Sequence, residues 1–216
     1  AYSGGCALNC VTNTHLAKYT AFNNISIQPA SGDAGASLGA AALIERPLWE
    51  NAFIGYEDYD CIPPEEAADR IIKGDIIPII NGRAEFGPRA LGNRTLLCAP
   101  ITDTIDRLNK IKGREKDTWR PYAPIAQDKE VNNFFHAVRP CSNMLFVADI
   151  LEESNFKTHD NSARLQYIDG SQPYLYKVLE ITRQYGFPIL INTSLNARDM
   201  PMVNKKEDLN EIRLHY

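Results

Sequence analysis

Residues 82–94 read Gly82-Arg-Ala-Glu-Phe-Gly-Pro-Arg-Ala-Leu-Gly-Asn-Arg94, and this stretch is the most informative part of the chain. Its glycines and its proline interrupt a continuous helix, so the arginines fall in a turn. A guanidinium group offers a planar fork of donors that suits a phosphate or a carboxylate. The stretch therefore predicts an anion-binding turn, although a solvated turn with surface salt bridges is an alternative. The candidate residues are Arg83, Glu85, Arg89 and Arg94.

Basic side chains remain frequent beyond this turn. From Arg83 to Arg120 there are nine basic and five acidic residues, in a chain whose formal net charge is −4. A local positive excess in an acidic chain favours a small, confined anionic ligand. A surface for nucleic acid would normally make the whole domain basic, so we expect no nucleic-acid partner.

Further motifs follow in a fixed order along the chain. They are Ile111-Lys112-Gly-Arg-Glu115, Trp119-Arg120-Pro-Tyr-Ala-Pro124, Ala163-Arg164-Leu-Gln166 and Asn192-Thr193-Ser194-Leu-Asn196. Together with residues 82–94 they resemble the O-carbamoyltransferases, the family that modifies nodulation factors, cephalosporins and aminoglycoside antibiotics. One departure is visible, because the loop between Arg114 and Arg120 is longer than the family pattern. The geometry that aims Arg120 is therefore expected to differ from that of the family.

The resemblance implies a phosphate-binding site in the C-terminal part of the chain. It assigns the reacting site to Lys112, Arg120, Arg164 and Ser194. Supporting substrate contacts fall on Arg83, Glu85, Arg89, Arg94, Asn192, Thr193 and Asn196. The residues alone leave the segment 192–196 open, since polar side chains after an apolar strand suit either a ligand site or a simple Asx or Ser/Thr turn.

The resemblance also implies an enzyme and a two-stage reaction. Carbamoyl phosphate would break down to carbamate, which would attack the α-phosphate of ATP to give carbamoyl-adenylate and pyrophosphate. The carbamoyl group would then pass to a hydroxyl of a small-molecule acceptor such as a sugar. Two alternatives remain: a non-catalytic binding subunit with this fold, or a threonylcarbamoyl-adenylate-type synthase that acts on tRNA.

The N-terminal segment contains two glycine-rich turns, Ser3-Gly4-Gly5-Cys-Ala-Leu-Asn9 and Pro29-Ala-Ser-Gly32-Asp33. Both resemble loops of an actin-like ATPase-fold domain, in which paired glycines let backbone N–H groups approach a phosphate or a ribose. The resemblance implies nucleotide binding by Gly4, Gly5, Asn9 and Gly32. It also implies a divalent metal, iron or magnesium, on Asp33. From the residues alone, a helix N-cap is favoured over a metal ligand for Asp33.

A proline-rich, acidic stretch near residue 62 predicts a domain boundary. Residues 1–62 are expected to be the C-terminal portion of the actin-like domain. Residues 63–216 are expected to form a mixed α/β domain like that of the threonylcarbamoyl-adenylate synthases (YrdC-like), truncated at its C-terminus. The chain is then expected to be a piece of a longer protein. By itself, this piece is expected to bind carbamoyl phosphate and ATP but to carbamoylate no acceptor. A complementing N-terminal domain or a homodimer would complete it.

Hydrophobic periodicity and turn residues predict alternating helices and strands, which indicates an α/β fold. Residues 46–63 are predicted as a loop. The expected helices are Cys6–Lys18, Ala34–Ile44, Glu65–Lys73, Thr102–Ile111 and Pro173–Tyr185. The expected strands are Ile25–Gln28, Asp75–Ile80, Met144–Ile150 and Pro188–Asn192.

Composition is typical of a cytoplasmic protein. The five cysteines are odd in number and scattered, which favours reduced thiols over a disulfide framework. No apolar run approaches the roughly 18 residues that suggest a membrane-spanning helix, so we expect no membrane partner.

Overall fold

A computed structural model describes residues 1–46, 48–116, 119–151, 156 and 160–210. Within these residues lie six α-helices and nine β-strands. The helices are α1 (Cys10–Tyr19), α2 (Ala34–Ala42), α3 (Pro64–Ile72), α4 (Thr102–Ile111), α5 (Val131–Phe134) and α6 (Pro173–Gln184). The strands are β1 (Glu57–Tyr59), β2 (Ile77–Arg83), β3 (Arg94–Cys98), β4 (Pro124–Gln127), β5 (Phe135–Ala137), β6 (Ala148–Ile150), β7 (Ser162–Ala163), β8 (Gln166–Ile168) and β9 (Ile189–Ser194).

The main sheet is mixed and has the strand order β1-β2-β3-β9-β4-β8. Its neighbours run antiparallel except for β4 and β8, which are parallel. A smaller antiparallel sheet is formed by β5, β6 and β7. The β3–β9 pair places Thr95 opposite Ser194, so the polar end of β9 lies at the centre of the main sheet. The result is a mixed α/β fold, as the sequence predicts.

Two apolar clusters cover the two faces of the main sheet. Successive side chains of a strand point to opposite faces, and the clusters divide accordingly. On β9, Leu190 packs in the cluster that contains α3 and α6, while Ile189 and Ile191 pack in the cluster that contains α4. The helices therefore sandwich the sheet and fix the positions of its strand ends.

The N-terminal segment packs directly on the chain near residues 144–149. The buried Asn13 Nδ2 donates to Leu145 O at 2.9 Å, and Val147 N donates to Thr14 Oγ1 at 2.9 Å. At the surface, Lys18 pairs with Asp149 at 3.0 Å. These contacts join segments about 130 residues apart and hold the start of α1 in a defined place.

Several predicted elements need correction. The helix predicted over Cys6–Lys18 breaks at Asn9, whose side chain accepts from Thr12 N at 3.1 Å and begins α1 after a short 3-10 turn over Gly5–Leu8. The predicted loop at 46–63 contains β1. The strand predicted over Ile25–Gln28 is reduced to one bridge between Ile27 and Tyr2. Of the strand predicted over Met144–Ile150, only β6 forms.

The helices α3, α4 and α6 are confirmed to within two residues of the predicted bounds. Strand β2 begins two residues later than predicted and continues through Arg83, which therefore lies in a strand. In the described part of the chain no helix has the length and apolar character to span a membrane.

Candidate functional site

An open cavity of about 560 Å³ lies where the start of α1, the end of α4 and the end of β9 meet. The loop around Arg89 and the segment 119–123 complete its wall. The cavity brings together eight of the residues singled out from the sequence. They are Asn9, Arg89, Lys112, Arg120, Arg164, Asn192, Thr193 and Ser194.

The cavity is strongly cationic. Its described lining contains five basic side chains and no carboxylate. The five are Arg89, Lys112, Arg114, Arg120 and Arg164. Like charges held close together in a partly buried space repel one another, and a bound anion relieves that repulsion. The arrangement is therefore suited to a phosphate-bearing ligand.

Lys112 lies directly after α4 and is 3% exposed. Its Nζ donates to Ser194 O at 2.8 Å and to Asn196 O and Oδ1, each at 2.6 Å. Burial, together with the charges of Arg114 and Arg120, lowers the pKa of Lys112 to about 7. Its charge is consequently sensitive to an anion beside it, which would favour the protonated form.

The turn after β9 is ordered by its own polar side chains. Ser194 Oγ donates to Asn196 Oδ1 at 2.6 Å, and Asn196 Nδ2 donates to Met200 O at 2.7 Å. Ser194 lines the cavity, whereas Asn196 lies behind it and contacts Lys112. The turn thus presents a hydroxyl to the cavity and fixes the lysine beneath it.

Arg89 and Arg164 occupy the side of the cavity nearest α1. Arg89 Nη2 donates to Leu8 O at 2.7 Å, and Arg164 N donates to Tyr122 O at 2.8 Å. The Nε atoms of both arginines are buried and have no hydrogen-bond partner among the described residues. Burial lowers the pKa of both guanidinium groups. The positive charge of a neighbouring arginine lowers each pKa further. Unsatisfied buried donors of this kind are expected to be completed by a ligand or by water.

Asn192 forms the polar floor of the cavity and is 2% exposed. Its Oδ1 accepts from Thr95 Oγ1, and its Nδ2 donates to Gln166 Oε1 at 2.9 Å and to Ala90 O at 3.1 Å. These bonds link β9 to β3, to β8 and to the loop that carries Arg89. Asn192 therefore contributes to the shape of the cavity through three separate segments.

Of the four candidate residues in the 82–94 stretch, Arg83, Glu85 and Arg94 lie outside the cavity lining. Arg83 is exposed and donates to Ile54 O at 2.9 Å. Arg94 is fully buried, and its guanidinium donates to four backbone carbonyls, those of Tyr56, Gly82, Asn93 and Asn204. Arg94 thereby ties β3 to distant segments.

Glu85 is buried beneath the loop, and its Oε1 accepts three backbone N–H groups. The donors are Leu91 N at 2.7 Å, Asn93 N at 2.7 Å and Arg94 N at 3.2 Å. Burial raises the pKa of the Glu85 carboxyl, against the opposing effect of these hydrogen bonds. These hydrogen bonds hold the loop that carries Arg89, and the three residues that donate them do not line the cavity.

The N-terminal glycine turns lie beside the cavity, with Asn9 at its edge. Gly4 has a positive φ of 94° and its N–H donates to Ser31 O at 2.8 Å, which joins the two turns. At Gly32 an added Cβ would lie 3.3 Å from Leu8 Cδ1, so the position is closely packed. Gly5 is exposed. Of the four residues proposed from the sequence to bind nucleotide, Asn9 belongs to the cavity lining, whereas Gly4, Gly5 and Gly32 do not.

Asp33 is exposed at the N-cap of α2 and makes no side-chain capping bond. The described residues contain no group of three or more His, Cys, Asp or Glu side chains that could hold a metal ion. Asp33 alone therefore does not fit the metal that the sequence resemblance implies. Iron or magnesium binding by this residue stays a prediction.

Of the five basic residues in the described cavity lining, only Arg114 is absent from the candidates that the sequence indicates. Arg114 lines the cavity and its Nη1 donates to Thr193 Oγ1 at 3.3 Å. It follows Lys112 by two residues, just beyond the end of α4. That spacing, in a motif already used to locate Lys112, was the signal that could have identified it.

Comparisons with known proteins identify the family of the chain. Residues 68–215 match the family model described as carbamoyltransferase C-terminus, and residues 1–42 match carbamoyltransferase N-terminus. The chain belongs to the carbamoyltransferase family. The resemblance inferred from the sequence is therefore confirmed.

Curated relatives align with nearly the whole chain. The 3'-hydroxymethylcephem-O-carbamoyltransferase of Streptomyces clavuligerus is 34% identical over 231 residues, covering 96% of this chain and 44% of that protein. Nodulation protein NolNO of Sinorhizobium fredii (strain NBRC 101917 / NGR234) is 33% identical over 248 residues, covering 95% of this chain and 36% of that protein. The chain thus spans less than half the length of these relatives.

Among solved structures, the fold is similar to that of full-length HypF in its phosphate- and nucleotide-bound form. The TM-score is 0.52 at 16% sequence identity, over 68% of this chain and 19% of HypF. At this low sequence identity, the structural similarity is evidence for the fold of this carbamoyltransferase chain alone.

Proposed function

We propose that this chain carries the carbamoyl-activating cavity of an ATP-dependent O-carbamoyltransferase. Carbamoyl phosphate and ATP bind there, and carbamoyl-adenylate is formed. The carbamoyl group then passes to a hydroxyl of a small molecule such as a sugar. The observation that carries the proposal is the convergence of five cations and the Ser194 hydroxyl on one cavity whose described lining has no carboxylate.

The reaction needs positive charge more than covalent chemistry. Carbamoyl phosphate loses phosphate by water attack and leaves carbamate, and a carbamate oxygen then attacks the α-phosphorus of ATP. The bond between the α- and β-phosphates breaks, and pyrophosphate carries the electron pair away. Negative charge builds on the transferring oxygens throughout, and preorganised donors stabilise it.

Individual roles follow from the positions of the side chains. Arg120, Arg164 and Ser194 contact the phosphate of carbamoyl phosphate, while Lys112 supplies charge beneath it and orients the turn that carries Ser194. Arg114 adds a further phosphate contact from the same side of the cavity. Asn192, Thr193 and Asn196 support this group. Arg89 holds the α1 side of the site, and Glu85 holds the loop that carries Arg89. Arg83 and Arg94 support the anionic site from outside the cavity lining.

The same proposal extends to the larger organisation. The carbamoyltransferase N-terminus match over residues 1–42 and the C-terminus match over 68–215 support two parts that meet near residue 62. We propose an actin-like fold for the first part and a YrdC-like fold for the second. The nucleotide-bound form of HypF supports ATP as the second substrate. Gly4, Gly5, Asn9 and Gly32 are then proposed to contact nucleotide, and Asp33 to bind a metal with ligands from outside this chain.

Titration calorimetry with carbamoyl phosphate tests the cavity. Arg120→Ala and Ser194→Ala are each expected to weaken binding about tenfold or more, because a hydrogen bond to a charged group contributes about 1.5–3 kcal/mol. Lys73→Ala is the matched control, since Lys73 is an exposed cation that pairs with Asp69 and does not line the cavity. Equal affinity in all four proteins would reject the site.

A second measurement separates an enzyme from a silent binding subunit. Incubation of the chain with carbamoyl phosphate and ATP should release pyrophosphate and should fail to do so after Ser194→Ala. Binding without pyrophosphate release by the wild-type chain would favour the non-catalytic alternative.

A further inference from the structure

One large side chain at the cavity has no part in the phosphate chemistry described above. Trp119 lines the cavity and remains 63% exposed. Other large apolar side chains are also exposed in the described residues, but none of those lies in the cavity lining. A wide aromatic surface left open to solvent beside a binding cavity is a common feature of ligand recognition.

The indole ring of Trp119 contacts Arg120, one of the basic side chains of the cavity. The guanidinium carbon of Arg120 lies 5.5 Å from the centroid of the ring. A guanidinium at that distance interacts favourably with the negative face of an aromatic ring. The aromatic surface and the phosphate-binding charge are therefore adjacent parts of one site.

Adjacent aromatic and cationic groups match the two ends of a nucleotide. A nucleobase stacks on an aromatic face through a planar contact that tolerates any base, while its phosphates require basic side chains. Trp119 is the first residue of the segment 119–123. It lines the same cavity as Lys112 and Arg114, the side chains proposed to bind phosphate. Core packing does not account for the position of Trp119, because most of its surface is open to solvent.

We propose that Trp119 is the stacking platform for the base of the bound nucleotide. This inference rests on the proposed function and adds to it the residue that recognises the base. The phosphates of the same molecule extend from the indole towards Arg120 and the remaining cations of the cavity. Because stacking reads the π-face that every base has, the site is expected to accept nucleotides with little preference among the bases.

The test compares two ligands that carry the same phosphates with and without a base. Affinities for ATP and for inorganic tripolyphosphate are measured by calorimetry on the wild-type chain, Trp119→Ala and Trp119→Phe. Loss of base stacking is expected to weaken ATP binding about 5- to 140-fold in Trp119→Ala. Tripolyphosphate affinity should change less than about twofold, since its contacts are to the cations. Trp119→Phe should keep most of the ATP affinity.

Fluorescence gives an independent readout, because the chain has two tryptophans, Trp49 and Trp119. Trp49 is partly buried and packs on Phe86 at 6.4 Å between ring centroids. ATP should quench the emission of Trp49→Phe, in which only Trp119 remains. The same ligand should leave the emission of Trp119→Phe nearly unchanged.

The outcomes distinguish this inference from the proposed function. Equal weakening of ATP and tripolyphosphate in Trp119→Ala would overturn it, because Trp119 would then act only by orienting Arg120. Unchanged ATP affinity in Trp119→Ala would overturn it as well, while leaving the cationic cavity intact. A wild-type chain that binds neither ligand would reject the proposed function itself.

Discussion

Replacement of Glu85 by alanine is expected to destabilise the fold although Glu85 was selected as a ligand-binding candidate. The carboxylate is 7% exposed, and its Oε1 accepts the backbone N–H groups of Leu91, Asn93 and Arg94. Alanine leaves all three donors in a poorly hydrated space. Each unmade bond to a charged partner costs about 1.5–3 kcal/mol, but bonds that share one oxygen do not add fully. We expect a loss of about 3 kcal/mol, near the lower end of the loss seen on breaking a buried polar network.

The expected loss is large enough to measure by melting. For a domain of this size, 1 kcal/mol corresponds to about 2–4 °C in Tm, so Glu85→Ala should melt about 6–12 °C below the wild type. Urea unfolding followed by circular dichroism and by tryptophan fluorescence would give the free energy and test whether both probes report one transition. Glu85→Gln keeps an acceptor oxygen and should lose less than half as much.

Glu45→Ala is the matched control, because Glu45 is an exposed carboxylate on the same chain. Its substitution should change stability by less than about 0.5 kcal/mol. A Glu85→Ala variant with the same free energy of unfolding as Glu45→Ala would refute the reasoning, since the three N–H groups would then be satisfied without the carboxylate.

Two further variants test the electrostatics and the packing of the site. Because the pKa of Lys112 is lowered to about 7, its positive charge is lost as pH rises through neutrality, so sulfate binding should weaken from about pH 6 to pH 8.5. Calorimetry on Lys112→Met should show a flatter profile, and identical slopes in both proteins would contradict the assignment. Gly92→Ala should destabilise by more than about 2 kcal/mol in urea unfolding, because Gly92 has a φ of 120° and an added Cβ would collide with Leu175. Gly39→Ala in α2, where the space is open, should instead be neutral or stabilising by up to about 1 kcal/mol, and similar losses at both glycines would count against the packing argument.

The sequence predicted the helices better than the strands, and the reason lies in their patterns. Helices α3 and α4 have one apolar face and clear first-turn signals, so their bounds could be read locally. Strand β3 is buried on both faces and shows no alternation, while β1 reads Glu-Asp-Tyr and has no apolar signal. Such strands are defined by their neighbours in the sheet.

Within the 82–94 stretch, the prediction of an anion site fits Arg89 more closely than Arg94. The sequence identifies arginines in a turn but does not tell which donors the backbone will occupy. Arg94 donates to Asn204 O and Tyr56 O, which lie 110 and 38 residues away along the chain. Only the tertiary fold brings those carbonyls to the guanidinium, whereas Arg89 keeps a buried Nε without a partner among the described residues.

The predicted boundary near residue 62 does not divide the candidate site. Asn9 and Cys10 precede it, and they line the same cavity as the cations that follow it. Arg89 donates to Leu8 O across the same junction, and Asn13 and Thr14 bond to Leu145 and Val147. Because these contacts fix the start of α1 against the cationic wall, the N-terminal segment helps to shape the cavity. The two parts that match the family models therefore contribute two walls of the same cavity.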